Sequence, residues 1–206
     1  MLHVVQSAAG PLPDNVLAAM FAARKSVFVD LLRWDVPVLD GRYEIDQFDN
    51  EHAHYLILTD ADGGHLGSAR LLPTERPHIL DTLYPQLCED APPTGTTTFE
   101  ITRFCLDRRL RAPERRAVRD TLVAAIADHA LAHGIERYTA IAEIGWFQQI
   151  LAFGWHCLPL GLPCIVDGMS LAALQISIDA RTPTLLAEAG IRSRDAIHAY
   201  RQLAAA

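Results

Sequence analysis

Three arginines and a glutamate stand inside segments whose other residues belong in a protein core. Arg24 lies on the apolar stripe of a first helix, seven residues after Leu17 and four before Phe28. Arg70 closes the run Leu66-Gly-Ser-Ala-Arg-Leu-Leu72, and Glu100 and Arg103 sit within Phe99-Glu-Ile-Thr-Arg-Phe-Cys-Leu106. An isolated charge moved from water into an apolar interior costs more than a fold can supply, so each must be paired or reach water. Any fold of this chain has to solve that problem, either by placing these residues at edges or by bringing opposite charges to them.

Two readings of each residue stay open at this level. Arg24 is either a stripe-edge arginine that extends its head to water or a buried guanidinium met by a carboxylate. Arg70 is likewise a strand-edge charge or a tie between elements. Strict alternation places Glu100 and Arg103 on opposite faces of their strand. They share a face only if a bulge lies between them, and bulges re-aim side chains beside active sites. The segment that follows the first helix carries Trp34, Glu44, Asp46 and Asp49. With Phe28 these form either a solvated acidic loop with an aromatic cover, or acids and ring faces suited to a cation, where a cation–π contact contributes roughly 0.5–2 kcal/mol.

The periodicities predict a strand at 2–6, a helix from Asp14 to Leu32, and strands at 53–59 and 65–72 about the turn Asp60-Ala-Asp-Gly-Gly64. A short helix is expected over His78–Tyr84, a core strand over Thr97–Asp107, and a long helix from Pro113 to His133 closed by Gly134. A strand at 136–142, a helix at 145–153, a strand at 164–177 and one or two helices over 183–205 complete the pattern. Strands mixed with a few crossover helices imply an α/β sandwich about one sheet. At 206 residues with no linker or repeat, a single domain spanning 1–206 is expected.

Other chemistries find no support. The net charge of −7 argues against nucleic acid or an anionic membrane as partner. No apolar run reaches the roughly 20 residues of a membrane span, and the N-terminus lacks a signal peptide's pattern, so a cytoplasmic protein is expected. Cys88, Cys105, Cys157 and Cys164 have no metal or disulfide spacing. His129 and His133 stand one helical turn apart without a further ligand, so no metal is expected. His52 and His54 read as structural. There is no P-loop, Rossmann fingerprint or nucleophile elbow.

The order Arg24, Phe28, Trp34, Asp46, Asp49, Arg70, Glu100, Arg103 resembles the signature of the acyl-homoserine-lactone synthases, the autoinducer synthases of bacterial quorum sensing. The local wording agrees in Arg24-Lys-Ser-Val-Phe28, Glu44-Ile-Asp-Gln-Phe-Asp49, Arg70-Leu-Leu-Pro-Thr74 and Phe99-Glu-Ile-Thr-Arg-Phe104. The motifs run from about residue 20 to 106; beyond them length and general pattern agree. Tyr84 replaces the phenylalanine usual before a proline, and Thr102 the serine common before the arginine. Both departures bear on the acyl pocket more than on the reaction.

The resemblance implies an acetyltransferase-like three-layer sandwich with a mixed, splayed central sheet, and a bulge between Glu100 and Arg103. It implies acyl transfer from a thioester to the amine of S-adenosyl-L-methionine, then lactonisation with release of methylthioadenosine. S-adenosyl-L-methionine is then a substrate and no cofactor is expected; the acyl donor is acyl carrier protein or acyl-coenzyme A. Carried over residue by residue, Glu100, Arg103, Asp46, Asp49 and Arg70 are the catalytic set. Arg24, Phe28, Trp34, Thr102, Tyr84, Ala142 and Phe147 bind substrate. Where ordinary acetyltransferases of this fold carry a Q/R-x-x-G-x-G/A loop for coenzyme A, this chain has Asp107-Arg-Arg-Leu-Arg-Ala-Pro-Glu-Arg-Arg116. Seven arginines fall between Arg103 and Arg119, which reads as a surface for an anionic donor or as a solvated helix face. An amine N-acetyltransferase and a non-catalytic ligand sensor are the rival readings. Release of methylthioadenosine separates the first, and binding without turnover the second.

Overall fold

The computed structural model describes residues 1–6 and 15–191. The chain divides into two compact units, Met1–Arg70 with Arg103–Val123 and Leu71–Thr102 with Ala124–Arg192. In the first unit, β1 (Leu2–Gln6) is followed by α1 (Asn15–Arg24), which buries Leu17, Met20, Phe21 and Arg24. That is the spacing of one helix face. The helix expected to Leu32 changes character at Lys25. Lys25–Leu31 widen into a π-helical segment, with Leu32 N donating to Val27 O at 2.9 Å. The expected start at Asp14 lies outside the described residues.

A ribbon of β2 (Val38–Leu39) and β3 (Tyr43–Glu44) follows, which the periodicity did not predict. Its turn places Asp40 and Gly41 at φ of 51° and 65°, and Arg42 N donates to Leu39 O at 3.0 Å. An Asp-Gly pair accepts that left-handed conformation at low cost. β4 (His54–Thr59) runs antiparallel to β1, with Leu2 opposite Leu58 and Gln6 opposite His54. β5 (His65–Pro73) is the next strand of the sheet. A Cβ on its Gly67 would lie 2.8 Å from Val118 Cγ1 and 3.0 Å from Leu106 Cδ2, so glycine permits this close packing.

The second unit holds the short α2 (Ile79–Thr82), a 3₁₀ turn at Pro85–Leu87, and the start of β6 (Thr98–Leu106). β6 runs parallel to β7 (Arg137–Glu143), Thr98 opposite Arg137 and Ile101 opposite Ala140. The long α3 (Ala112–His133) joins them and ends at Gly134, φ 67°, where Ile135 N donates to Ala130 O at 2.9 Å. α4 (Ile144–Leu151) leaves β7 directly. β8 (His156–Pro159), β9 (Cys164–Val166) and β10 (Met169–Ser177) follow, with β10 antiparallel to β7, β8 and β9. α5 (Thr182–Glu188) is the last described helix, and the expected helical stretch beyond residue 191 lies outside the described residues.

The α/β class and the mixed sheet are as expected, since β6–β7 is parallel and β7–β10 antiparallel. The strand expected over 164–177 is instead two strands folded on one another. Asp167 and Gly168, at φ of 49° and 80°, make the turn, which is the Asp-Gly hairpin signal. β8 was not anticipated, because His156-Cys-Leu-Pro159 is short and mostly exposed.

His65, at the start of β5, is 5% exposed and shares a hydrogen bond with Ser68 Oγ at 2.9 Å. Burial pushes its pKa down to about 4, against the attraction of Asp107. The fold therefore holds a neutral imidazole that the unfolded chain protonates below about 6.5. Its contribution is intact above pH 6.5 and is lost as the pH falls towards 4, to a total of about 3 kcal/mol. Urea unfolding at pH 7, 6 and 5 should show His65→Gln closing its stability gap to the parent chain as the pH drops. A constant gap would contradict this.

Candidate active site

α1, β3, the loop after it, β5 and the end of β6 deliver six charged side chains of the first unit to one place. Arg24 is 1% exposed and lies between two acids: Nε donates to Glu44 Oε2, and Nη1 and Nη2 donate to Asp49 Oδ1 and Oδ2 at 2.8 Å each. Arg70 holds Asp46 in the same two-pronged way, at 2.6 and 3.1 Å, and lies 2.8 Å from Asp49 Oδ1. Arg103 joins the other side, with Nε donating to Glu44 Oε1 at 3.1 Å and Nη2 to Asp46 Oδ2 at 2.7 Å. Three arginines thus answer three carboxylates in one continuous lattice, and each acid bridges two arginines. Such two-pronged guanidinium–carboxylate pairs are the stronger and more directional kind.

The loop is built to hold its acids in place. Phe48 N donates to Asp46 Oδ1 and Asp46 N to Asp49 Oδ2, each at 2.9 Å. Tyr55 in β4 donates its hydroxyl to Asp49 Oδ1 at 2.8 Å. Burial alone would raise the Asp49 pKa, but Arg24 and Arg70 overcome it and hold the carboxyl well below the usual range. Burial would likewise lower the pKa of Arg24, yet Asp49 and Glu44 raise it. The Tyr55 phenol is pushed up, first by burial and then by Asp49, so it stays a donor. Arg24 and Asp49 therefore stay charged across the working pH range.

Aromatic rings cover it. Phe28 and Trp34 stack with centroids 4.7 Å apart and planes 12° from parallel, and the Arg103 guanidinium lies 5.7 and 6.0 Å from the two rings. Phe21 and Phe48 sit under Arg24 and Arg70 at 5.0 and 5.9 Å. The π-helical segment makes the stack possible, because Trp34 N reaches back to Phe28 O at 2.8 Å. π-segments of this kind are frequent at functional sites. Cys105 packs beneath Phe28, and burial pushes its thiol up to about 12, so it is filling rather than a nucleophile.

The backbone at Arg103 departs from strand geometry. Its φ is 50°, a left-handed value in the middle of a strand, which costs a non-glycine residue about 1–3 kcal/mol. Its side chain is 11% exposed and that of Asp46 5%, against 1% or less for the other four members. The Asp46–Arg103 pair under the Phe28–Trp34 stack is therefore the open end of the lattice. The acids offered by the sequence to a cationic ligand are already held by arginines.

The second unit holds Glu100, which is fully buried. Its Oε2 accepts from Ile79 N at 2.8 Å and Leu80 N at 3.3 Å, the first turn of α2. The register puts Glu100 opposite Thr139, and alternation puts both on the face of β7 that carries Ile141. Ile141 and Tyr84 pack on Leu80, Leu87, Leu171 and Ala173. Ala142 lies on the other face of β7, with Ala140 and Tyr138, and is buried, as are Thr102 in β6 and Phe147 in α4. Sequence reasoning missed Tyr55, Phe48 and the α2 amides. A tyrosine in a buried strand and a turn of four residues carry no distinguishing signal. Among the described residues, no group of three His, Cys, Asp or Glu is placed to hold a metal. His129 and His133 stack on one another at 4.1 Å.

The sequence profile of the autoinducer synthases matches residues 12–182. The chain belongs to the autoinducer synthase family. An acyl-homoserine-lactone synthase of Ralstonia nicotianae is 33% identical over 180 residues, covering 84% of this chain and 87% of that one. The isovaleryl-homoserine lactone synthase of Bradyrhizobium diazoefficiens is 29% identical over 191 residues, covering 90% and 84%. Among solved structures, the coenzyme-A-dependent synthase BjaI with S-adenosyl-methionine and isopentyl-CoA superposes with a TM-score of 0.82 at 28% identity, over 93% of this chain and 90% of that one. A Lactobacillus plantarum N-acetyltransferase structure, at 17% identity and a TM-score of 0.57 over 86% and 99%, shows the acetyltransferase-like fold.

The lattice predicts strong non-additivity. Removing one partner of a buried pair strands its opposite charge and costs about 3–5 kcal/mol. Asp49→Ala should therefore destabilise the synthase heavily. Arg24→Met/Asp49→Ala should cost clearly less than the sum of the two single changes in urea unfolding. Additive costs would mean that the pairs are independent.

Proposed function

We propose that this synthase transfers an acyl group from an acyl thioester to the α-amine of S-adenosyl-L-methionine and then closes the lactone, making a quorum-sensing signal, with residues 1–206 acting as a single domain. The observation that carries this reading is the arginine–carboxylate lattice capped by Phe28 and Trp34. BjaI, the solved relative, is described with S-adenosyl-methionine and isopentyl-CoA.

The neutral amine attacks the thioester carbonyl, a C–N bond forms, the C–S bond breaks, and the thiol leaves. An α-amine titrates near 8, so the base need only take a proton that is nearly free. Glu100, three residues before Arg103 on the same strand, is that base, directly or through water. A backbone N–H turned out by the left-handed backbone at Arg103 stabilises the oxyanion, a role worth roughly 3–4 kcal/mol. The substrate carboxylate then attacks its own γ-carbon. A C–O bond forms, the carbon–sulfonium bond breaks, and neutral methylthioadenosine departs. This step needs chiefly orientation. Arg24, Phe28, Trp34, Asp46, Asp49 and Arg103 shape the sulfonium site, and Arg70 ties the acidic loop to β5. Thr102, Tyr84, Ala142 and Phe147 bound the acyl group.

Asp46→Asn keeps a hydrogen-bonding side chain but weakens the hold on Arg103 and Arg70. It should lower the thermal midpoint, as the loss of a buried charge does, and lower turnover at least tenfold at temperatures where the variant is still folded, read by methylthioadenosine release. Full turnover would remove the acidic loop from the mechanism.

The donor is an acyl-coenzyme A or acyl carrier protein, and both are anionic. Arg108, Arg109, Arg111, Arg115 and Arg116 are exposed around the start of α3. Arg109 and Arg111 are engaged by Asp107 and Glu114. Exposed positive charge of this kind raises encounter rates with anions at low salt. Charge reversal at Arg115 and Arg116 should raise the donor KM several-fold at low ionic strength, and less at high salt. An unchanged KM would leave these arginines as a solvated face.

A further inference from the structure

A carboxylate that takes up protons in each turnover must also give them away, and Glu100 is fully buried. Three other fully buried polar residues of the second unit stand next to it in register or along the chain. Thr139 stands opposite Glu100 in the β6–β7 register, about 5 Å away in backbone spacing. Thr98 lies two residues before Glu100 on the same face of β6. His78 immediately precedes Ile79, whose N–H binds Glu100 Oε2 at 2.8 Å. Thr98 Oγ1, Thr139 Oγ1 and His78 Nε2 are all buried and find no hydrogen-bond partner among the described residues. Orphaned buried polar atoms are rare, and several about one spot mark a place for water.

The histidine's tautomer follows from its surroundings. Nδ1 lies 2.9 Å from Arg76 O, and a carbonyl oxygen only accepts, so Nδ1 carries the hydrogen and Nε2 presents a lone pair. Nδ1 is also 3.3 Å from Asp81 Oδ1, on a side chain 36% exposed. The threonine hydroxyls can donate to water and Nε2 can accept from it, so water enclosed on this face would satisfy all three atoms. The other imidazole nitrogen faces Asp81, whose side chain is partly exposed.

We propose that His78, with Thr98 and Thr139, forms a proton exit from Glu100, in which His78 is a positioning residue for water rather than a group that touches substrate. The inference rests on Glu100 being the base. The steps balance. The substrate ammonium gives its proton to Glu100, and the carboxyl O–H passes it to the enclosed water, which gives a proton to His78 Nε2. The imidazolium releases its Nδ1 proton to Asp81 and so to solvent, and a half-turn of the ring restores the original arrangement. A further group that senses Glu100 is the Cys88 thiol, whose pKa is raised first by burial and then by the Glu100 carboxylate. It remains protonated at neutral pH and stands outside this route.

The test is the pH dependence of thiol release from an acyl-coenzyme A donor, measured on the full chain with S-adenosyl-L-methionine between pH 7 and 9. His78→Phe removes Nε2, and Thr139→Val removes a hydroxyl at nearly constant volume. Both should lower kcat at pH 7, His78→Phe by at least tenfold and Thr139→Val by a few-fold, with the KM for S-adenosyl-L-methionine unchanged. The deficit should shrink towards pH 9, where the amine arrives already neutral and no exit is needed. A deficit equal at every pH is what damaged packing produces and would overturn the proposal, as would parental activity at pH 7 in Thr139→Val together with His78→Phe. Glu100→Gln separates the two ideas. If it turns over normally at pH 7, the base assignment falls. If it is impaired while both other variants behave as the parent, only the exit falls.

Discussion

The buried guanidinium is the constraint from which the rest of this structure follows. Arg24 on the packed face of α1 is tolerable only because Asp49 meets it with both oxygens and Glu44 with a third. Those acids arrive on β3 and the loop after it, which are thereby fastened to the helix and, through Arg70, to β5. Replacing such a cluster with apolar side chains of similar volume is often neutral or favourable for stability. Its retention here points to what the charges do at their open end, where Asp46 and Arg103 lie beneath two stacked rings.

Two departures from regular structure serve that end. The π-helical turn at Lys25–Leu31 changes the facing of the residues after Arg24, so that Phe28 can stack with Trp34. The left-handed residue in β6 turns Arg103 into the lattice, although strict alternation from Glu100 would point it elsewhere. Both cost backbone energy, and both stand beside the residues assigned to the reaction, the usual place for strain. The Coulombic partners that hold Arg103 contribute to offsetting the second of these costs locally.

Glu100 shows the other way to keep a charge inside a protein. Its Oε2 accepts two backbone amides of a helix four residues long. Amide donors favour the charged form of a carboxylate without cancelling its charge. Asp49, by contrast, is held in the ionised state by the guanidinium groups of Arg24 and Arg70.

The residue types of the lattice, and their order along the chain, were legible before any fold was known. Arg24, Asp46, Asp49, Arg70, Glu100 and Arg103 stand out because each charge interrupts or answers an apolar pattern, and that follows from solvation alone. The α/β class and most element positions follow from periodicity in the same way. The pairing did not. That Arg24 takes Asp49 while Arg70 takes Asp46, that Tyr55 joins them, and that β8 and β9 fold back on β10 are decided by contacts between distant segments. Local sequence contains the need for a partner. Only the packed chain chooses which one, because the choice depends on distances of a few ångströms that no spacing along the chain specifies.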